Sequence, residues 1–212
     1  METKGKYIKL NTSEIEENKK KFFERVSLYR DYGYDQVKSR KSIIQKAGPI
    51  KGKILEIGTG KGSLTALLAK KAENIITVDI SKEEQKFAAL NAAAEGVLDR
   101  IRFNVCDAAK LPYSENKFDL VISSNAFHHF EYPFAVLKEM IRVCGGKLVV
   151  ADFNKEGFGI VRKIHRDEGR EHEEKRGNFD IVGVYLKEHG FSVKRFEEHC
   201  HLVYVAKKKG RR

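Results

Sequence analysis

Residues 55–64 read LEIGTGKGSL and place a glycine at every second position behind an acidic residue. The set is Glu56, Gly58, Gly60 and Gly62, and it begins where an apolar run ends. Glycine lowers stability unless the backbone needs a conformation, or a close approach, that a side chain forbids. We therefore expect a ligand to lie against this turn, with backbone amides facing it.

Carboxylates stand at the ends of the next two apolar runs. Asp79 closes NIITVDI, and a carboxylate at such a place can accept hydrogen bonds from both hydroxyls of a ribose. Asp107 closes RIRFNVCD and suits an amino group such as the exocyclic amine of adenine; its alternative role is the N-cap of a helix over 108–111. A dinucleotide fingerprint G-x-G-x-x-G would need a glycine at Ser63, so the spacing points away from NAD.

The elements that would position these residues alternate between strand and helix. Apolar runs of strand length cover residues 53–57, 74–80, 100–107, 118–125 and 147–153. Segments with helical spacing of apolar residues lie between them, over 63–72, 81–96 and 133–146. This alternation predicts parallel strands joined by right-handed crossovers, and hence a doubly wound α/β sheet with ligands at the carboxyl ends of its strands.

The two ends of the chain depart from this alternation. Residues 14–46 are predicted to be helical, with Ser13 as the N-cap and a break at Gly33. Residues 154–190 are highly charged and are predicted to form two helical pieces. Residues 191–208 read as two strands, which would add a terminal antiparallel hairpin to the sheet.

Four segments occur in a specific order: LEIGTGKG, VDIS, CDAAKLPYSENKFDLVISSNAFHHF and EMIRVCGGKLVVADF. Together they resemble the successive motifs of class I S-adenosylmethionine-dependent methyltransferases. The nearest branch includes ubiquinone- and menaquinone-pathway and other small-molecule methyltransferases, known as methyltransferase type 11. The resemblance covers about residues 50–153 and the layout of the last two strands. The family's usual Lys-Pro before Gly145 is missing, so we expect a shorter turn there.

The resemblance implies a Rossmann-like sheet of seven strands, in the order 3-2-1-4-5-7-6 with strand 7 antiparallel and helices on both faces. It divides the chain into a helical lid segment over residues 1–48 and a methyltransferase domain over 49–208. Within that domain, residues 154–190 would be a variable insertion on the substrate side. Residues 207–212 would form a basic tail.

The cofactor that the resemblance implies is S-adenosyl-L-methionine, with S-adenosyl-L-homocysteine as the product. The glycine turn would pass beneath the methionine portion, with Glu56 organising the amino end. Asp79 would hold the ribose and Asp107 the adenine, while Asn125 would lie near the methionine carboxylate and sulfonium. Tyr29 and Tyr32 are further candidates from the lid. The predicted cofactor contacts are Glu56, Gly58, Thr59, Gly60, Gly62, Asp79, Ile80, Asp107, Ala108, Ser124, Asn125 and Tyr34.

The implied reaction is methyl transfer to a small-molecule acceptor by in-line displacement, in which positioning and exclusion of water supply much of the acceleration. A base is needed only if the nucleophile must lose a proton. His128 or His129 could supply it, since histidine titrates near neutrality; the alternative is that the pair only shapes the pocket. The histidines of the final third lack zinc-motif spacing and are expected to face solvent or substrate: His165, His172, His199 and His201. No metal is predicted.

The formal net charge of +11 lies at the ends of the chain, in residues 1–52 and 207–212, while residues 53–206 are balanced. A basic leader and tail can attract nucleic acid, so an RNA or protein methyltransferase is an alternative function. A non-catalytic cofactor-binding subunit is another. We favour solvated, lysine-rich ends, because aromatic residues do not interleave the tail. No signal peptide or span-length apolar window is visible, which predicts a cytoplasmic protein.

Overall fold

A computed structural model of the chain describes residues 2–4, 8–170 and 179–209, which build one mixed sheet with helices packed around it. The strands within these ranges are β1 (Glu2–Lys4), β2 (Ile54–Ile57), β3 (Ile75–Asp79), β4 (Ile101–Val105), β5 (Phe118–Ser124), β6 (Cys144–Phe153), β7 (Phe191–Glu197) and β8 (His201–Lys208). The α-helices are α1 (Thr12–Asp31), α2 (Gln36–Ala47), α3 (Ser63–Ala69), α4 (Lys82–Ala94), α5 (Pro133–Val143), α6 (Lys155–Asp167) and α7 (Val182–Glu188).

The strand order across the sheet is β1-β4-β3-β2-β5-β6-β8-β7. Strands β2 to β6 pair in parallel, whereas β8 runs antiparallel to both β6 and β7. Counted from β2, this is the order 3-2-1-4-5-7-6 with strand 7 antiparallel, so the predicted fold is confirmed. The short β1 pairs antiparallel with β4 and was not predicted, because three residues are too few to show a strand pattern.

Helices cover both faces of the sheet and bury two apolar cores. Residues from α2, α3 and α4 pack on one face, and residues from α5 and α7 pack on the other. A third, smaller cluster joins α1 and α6 beside the end of β6, and its buried members are Tyr29, Tyr34, Phe153, Val161, Ile164 and Cys200. This cluster holds α1 and α6 over the carboxyl edge of the sheet, where ligands bind in doubly wound folds.

Side chains cap the N-termini of α4 and α1, and the predicted cap of α1, Ser13, is wrong. Ser81 caps α4, since its Oγ accepts a hydrogen bond from the Glu84 amide at 3.1 Å. Helix α1 begins earlier than expected, because Asn11 rather than Ser13 is its N-cap. The Asn11 Oδ1 atom accepts from the Ser13 amide at 2.9 Å, and asparagine is among the preferred capping residues.

The double glycine at residues 145–146 is part of a strand and not of a turn. Helix α5 ends at Val143 and β6 starts at Cys144, so the predicted helix over 133–146 is three residues too long. A Cβ atom on Gly145 would lie 2.8 Å from the Asn116 carbonyl oxygen, and one on Gly146 would lie 2.6 Å from that of Asp119. Glycine is therefore needed at both positions, because the backbone of β6 lies close to the backbone at the start of β5.

The predicted organisation of the chain ends agrees with the elements in the described ranges. Helices α6 and α7 are the two helical pieces expected within 154–190, and the amide of Glu198 bonds the His201 carbonyl at the turn between β7 and β8. Lys207 and Lys208 belong to β8, so the predicted tail begins inside the sheet. His172 and residues 210–212 lie outside the described residues. The lid and domain boundaries stay predictions.

Candidate active site

Two cavities open at the carboxyl edge of the sheet, with volumes of about 640 and 670 Å³. The first cavity lies between the glycine turn and helices α1, α2 and α6, and the second lies between the same turn and the ends of β3 and β4. They meet along a shared ridge, which consists of Gly58, Gly60, Asn125 and His129. A single elongated ligand can therefore contact both cavities across this ridge.

The glycines of the turn all have positive φ, but their surroundings differ. A Cβ on Gly58 (φ 81°) would lie 2.4 Å from the Cβ of Ala126, so this position needs close approach between two loops. A Cβ on Gly62 (φ 76°) would lie 2.8 Å from Ala88 of α4. At Gly60 (φ 47°) such an atom would meet nothing within 4 Å, because it would project into open space. The ridge is thus a bare backbone surface that a ligand can cover.

Glu56 is buried at the base of the first cavity. Its Oε2 atom accepts hydrogen bonds from the hydroxyls of Thr65 at 2.5 Å and Thr77 at 2.7 Å. Burial raises the pKa of Glu56 to about 7, against the lowering effect of the two threonine hydroxyls. Thr77 also lies 2.6 Å from the hydroxyl of Thr59, which lines the same cavity. Because its pKa lies near 7, a nearby cation would shift Glu56 towards its ionised form.

Asp79 fixes the shape of the turn and faces the second cavity. Its Oδ2 atom accepts from the Gly60 amide at 2.8 Å, and its Oδ1 atom accepts from the Ser81 amide at 2.9 Å. Asp107 is exposed on the other side of the cavity and accepts from the Ala109 amide at 2.8 Å. It caps a turn, so the alternative prediction of a helix over 108–111 is wrong. Ile80, which is 74% exposed, and Ala108 complete this wall.

Tyr34, Asn125 and His201 form a hydrogen-bonded triangle that includes one residue of the ridge, Asn125. Asn125 Nδ2 donates to the Tyr34 hydroxyl at 2.9 Å, and His201 Nε2 donates to Asn125 Oδ1 at 2.7 Å. Burial raises the pKa of Tyr34 to about 12 and lowers the pKa of His201 to about 3, so both groups stay neutral near pH 7. Ser124 Oγ also contacts Asn125 Oδ1, at 3.3 Å. The triangle therefore locks the Asn125 side chain at the meeting point of the cavities.

The expectation that His201 faces solvent or substrate is wrong, because the side chain is 1% exposed and holds Asn125. His199 is exposed and lies in the turn before β8, as expected for a histidine that faces solvent. His165, in contrast, lines the first cavity. Among the described residues, no group of three or more His, Cys, Asp and Glu side chains is placed to hold a metal ion.

The two adjacent histidines after β5 have different surroundings. His128 is buried, and its amide and Nδ1 lie 2.8 and 2.7 Å from the two carboxylate oxygens of Asp152 on β6. His129 lines both cavities. The ring centroids of the pair are 3.9 Å apart, so His128 supports the ring that faces the ligand space. Only His129 of the two predicted catalytic candidates is placed where it can contact substrate.

The predicted cofactor contacts divide between the two cavities. Those that line the first are Tyr34, Glu56, Gly58, Thr59, Gly60, Ser124 and Asn125. Those that line the second are Gly58, Gly60, Asp79, Ile80, Asp107, Ala108 and Asn125. Gly62 lines neither and packs against α4. Of the other lid tyrosines, Tyr29 lines the first cavity, while the hydroxyl of Tyr32 donates to Asp167 at 2.8 Å.

Sequence reasoning missed the cationic side chains of the first cavity, which include Arg40 of α2. Arg40 lowers the pKa of Glu56 by its charge, and its Nη1 atom donates to the Gln36 carbonyl at 3.1 Å. Arg25 lines the same cavity from α1. Arg25 and Tyr29 are four residues apart on a helix and therefore share one face. This spacing was the feature of the sequence from which the position of Arg25 could have been predicted.

A Rossmann-like sheet of this order, with a bare glycine turn between two cavities, defines the class I methyltransferase fold, and the comparisons with known proteins agree. Residues 55–150 match the family model described as "Methyltransferase domain". The chain is 29% identical over 118 residues to the ubiquinone/menaquinone biosynthesis C-methyltransferase UbiE of Ectopseudomonas mendocina, covering 53% of this chain and 46% of that protein. The predicted resemblance is thus confirmed for residues 55–150.

Solved structures show the same fold. A SAM-dependent methyltransferase from Aquifex aeolicus aligns with a TM-score of 0.65 at 20% identity, over 94% of this chain and 99% of that one. The magnesium protoporphyrin IX methyltransferase of Synechocystis PCC 6803, solved with bound SAH, aligns with a TM-score of 0.61 at 19% identity, over 81% and 83% of the two chains. The alignments with the first curated relatives span 37% to 57% of those proteins. In the described part of the chain, no helix is long and apolar enough to cross a membrane.

Proposed function

We propose that this protein is an S-adenosylmethionine-dependent methyltransferase that acts on a small-molecule acceptor by in-line displacement. The observation that carries the proposal is the pair of cavities that meet over the bare turn at Gly58 and Gly60. A Cβ atom on Gly60 would meet nothing within 4 Å, and the cofactor would lie in this open space. Relatives named as methyltransferases of quinones support a small acceptor.

The residues of the second cavity would hold the nucleoside end of the cofactor. Asp79 would accept hydrogen bonds from the ribose hydroxyls, because its carboxylate is fixed by the amides of Gly60 and Ser81. Asp107 would accept from the adenine amino group, with Ala108 beside the ring. Carboxylates suit this end because a nucleoside offers hydroxyl and amino donors there.

The residues of the first cavity would hold the amino-acid end. Arg40 would pair with the methionine carboxylate, and Glu56 would accept from the ammonium group. Asn125, locked by Tyr34 and His201, would lie at the junction beside the sulfonium. When bound, S-adenosylmethionine supplies a methyl group already activated by the positive charge on sulfur.

The remaining task of the chain is to orient the acceptor and to exclude water. Helices α1 and α6 cover the first cavity with Tyr29, Phe22 and His165, which would shield the reacting atoms. His129 would take the proton from a nucleophile that must lose one, since it lines both cavities. His128 acts through its contact with His129 and is a positioning residue.

A covered, aromatic-walled cavity favours a small acceptor over RNA or protein. Steep salt dependence of RNA binding would instead favour the macromolecular alternative. A cytoplasmic location remains a prediction from the sequence.

The proposal is tested by isothermal titration with S-adenosylhomocysteine and with NADH, followed by transfer of label from S-adenosylmethionine into a metabolite extract. We expect heat with the first compound, none with the second, and labelled small molecules. Tight NADH binding without a response to S-adenosylhomocysteine would contradict the proposal. If the cofactor bound but no label reached any small molecule, RNA or protein of the extract, the chain would be identified as a non-catalytic subunit.

A further inference from the structure

The first cavity carries more positive charge than the cofactor carboxylate needs. Among its lining residues in the described ranges, Glu56 is the acidic one, and the cationic ones are Lys21, Arg25, Arg40, Lys61 and Arg170. Arg40 is assigned above to the cofactor. Arg25 and Arg170 lie on the opposite wall, which is built by α1 and the end of α6. These two guanidinium groups therefore face the space that the acceptor would occupy.

Arg25 and Arg170 converge on a single carboxylate. The Nη1 atom of Arg25 and the Nη2 atom of Arg170 each donate to one oxygen of Glu168. Burial tends to raise the pKa of Glu168, but the hydrogen bonds from Arg170 and Arg25 outweigh it and the pKa is lowered. The carboxylate therefore stays ionised and holds both cations. These three described side chains, one carboxylate and two guanidinium groups, together carry a net charge of +1.

The wall is also ordered by backbone and side-chain contacts. The Arg170 amide donates to the His165 carbonyl at 2.8 Å, which fixes Arg170 directly after α6. The side chain of Arg25 is 27% exposed and that of Glu168 is 29% exposed, so the pair is only partly screened by solvent. Because Glu168 already holds the two guanidinium groups, little rotamer freedom is lost when they bind a ligand.

An aromatic surface adjoins these charges. The guanidinium carbon of Arg25 lies 4.7 Å from the centroid of the Tyr29 ring, and its Nη2 atom donates to the Tyr29 hydroxyl at 3.1 Å. That hydroxyl also lies 3.4 Å from His165 Nε2. Phe22 and Phe153 line the same cavity. The arrangement suits a molecule with a flat apolar body and an anionic group at one end.

We propose that the methyl acceptor is a small organic anion, whose apolar ring lies against Tyr29 and Phe153 and whose carboxylate or phosphate binds Arg25 and Arg170. Arginine presents a planar set of donors that matches the oxygens of either group. The anion anchors the molecule, and the atom that receives the methyl lies on the part of the molecule nearest His129. This inference rests on the proposed function, since it names the acceptor class of the same site.

The experiment uses the full chain saturated with S-adenosylhomocysteine and titrates it with benzoate, phenyl phosphate and the neutral benzamide. We expect at least one anion to bind about tenfold more tightly than the amide, which corresponds to roughly 1.4 kcal/mol. Whether benzoate or phenyl phosphate binds better identifies the anionic group. Arg25→Gln should weaken anion binding about tenfold and leave the affinity for S-adenosylhomocysteine unchanged.

Arg30→Gln is the matched control, because Arg30 is an exposed cation of α1 that lines neither cavity. Arg170→Gln is a second test variant at a side chain that is 51% exposed, so it tests the wall with little risk to folding. Three results would overturn the inference: equal binding of the amide and both anions, no binding of any probe, or no effect of both arginine variants. If the wild-type chain does not bind S-adenosylhomocysteine at all, the proposed function fails instead.

Discussion

The first and second cavities share one ridge of backbone but differ in the charge of their walls. Lysine and arginine side chains line the first cavity, whereas the second is lined by acidic side chains, namely Asp79, Glu84, Asp107 and Glu131. A nucleoside offers hydroxyl and amino donors, and an amino acid offers a carboxylate. We infer that the glycine turn provides room for a ligand and that the opposite charges of the two walls would orient it.

The largest expected effect comes from filling the ridge itself. Gly58→Ala should lower the free energy of unfolding by roughly 3 kcal/mol, because the new Cβ would clash with Ala126 and φ is 81°. Gly60→Ala is the matched control: its φ is also positive but its surroundings are open, so the cost should be roughly 1 kcal/mol. Urea unfolding of both variants measures this. Equal losses would show that the two loops do not need close approach at Gly58.

The second largest effect is expected on cofactor binding by the acidic side chains of the second cavity. Asp79→Asn should weaken binding of S-adenosylhomocysteine about 100-fold, or roughly 2.7 kcal/mol, because the carboxylate both holds the Gly60 amide and would accept from the ribose. Asp107→Asn should cost only about fivefold, since Asp107 is exposed and caps a turn. Calorimetry on both variants compares them. An equal or larger loss for Asp107→Asn would mean that Asp79 is not the ribose contact.

The cationic wall is tested with a ligand that lacks the amino-acid end. Arg40→Gln should weaken S-adenosylhomocysteine about 20-fold, or roughly 1.8 kcal/mol, through loss of a charge-assisted hydrogen bond. It should leave the affinity for 5′-methylthioadenosine unchanged, because that compound has no carboxylate. Arg30→Gln serves as the control of equal charge. If both ligands weakened equally, Arg40 would act on the fold and not on the amino-acid end.

A smaller effect follows from the ionisation of Glu56. Burial raises its pKa to about 7, so the affinity for S-adenosylhomocysteine should rise about tenfold between pH 6 and pH 8 as the carboxylate ionises to meet the ammonium group. Glu56→Gln should remove this part of the pH dependence. Titrations of both proteins across this range measure it, and parallel profiles would contradict the role of Glu56.

The same raised pKa has the opposite consequence for stability. A carboxyl group whose pKa is higher in the folded chain stabilises it while protonated, and this contribution is lost as the pH rises from about 4.5 to 7. The free energy of unfolding of the wild-type chain should therefore fall more steeply over this window than that of Glu56→Gln. Cofactor binding should offset the loss at the upper end of the window.

The sequence was sufficient for residues whose role depends on local order along the chain. Gly58 and Gly60 lie just after β2, Asp79 ends β3 and Asp107 lies two residues after β4. The rule that parallel strands end at one edge of the sheet therefore places them together. The apolar runs also predicted the individual strands, and the strand order that the resemblance implied is confirmed. Helix N-caps such as Asn11 were harder to predict, because several residues that favour the N-cap position are adjacent in the sequence.

Residues that arrive from distant parts of the chain could not be assigned in this way. His201 on β8 reaches Asn125 after β5, and Arg25 on α1 meets Glu168 after α6. These pairings depend on how the antiparallel hairpin and the outer helices pack, and no short motif records that. The two histidines after β5 looked equivalent in sequence, and only the position of Asp152 separates them.

We propose that one cofactor spans the ridge, with its nucleoside in the acidic second cavity and its amino-acid end in the cationic first cavity. A crystal structure of the complex with S-adenosylhomocysteine tests this most directly. We expect the ribose hydroxyls within about 3 Å of the Asp79 carboxylate and the methionine carboxylate within hydrogen-bonding reach of Arg40. A ligand lying in the reverse direction, or confined to one cavity, would contradict it.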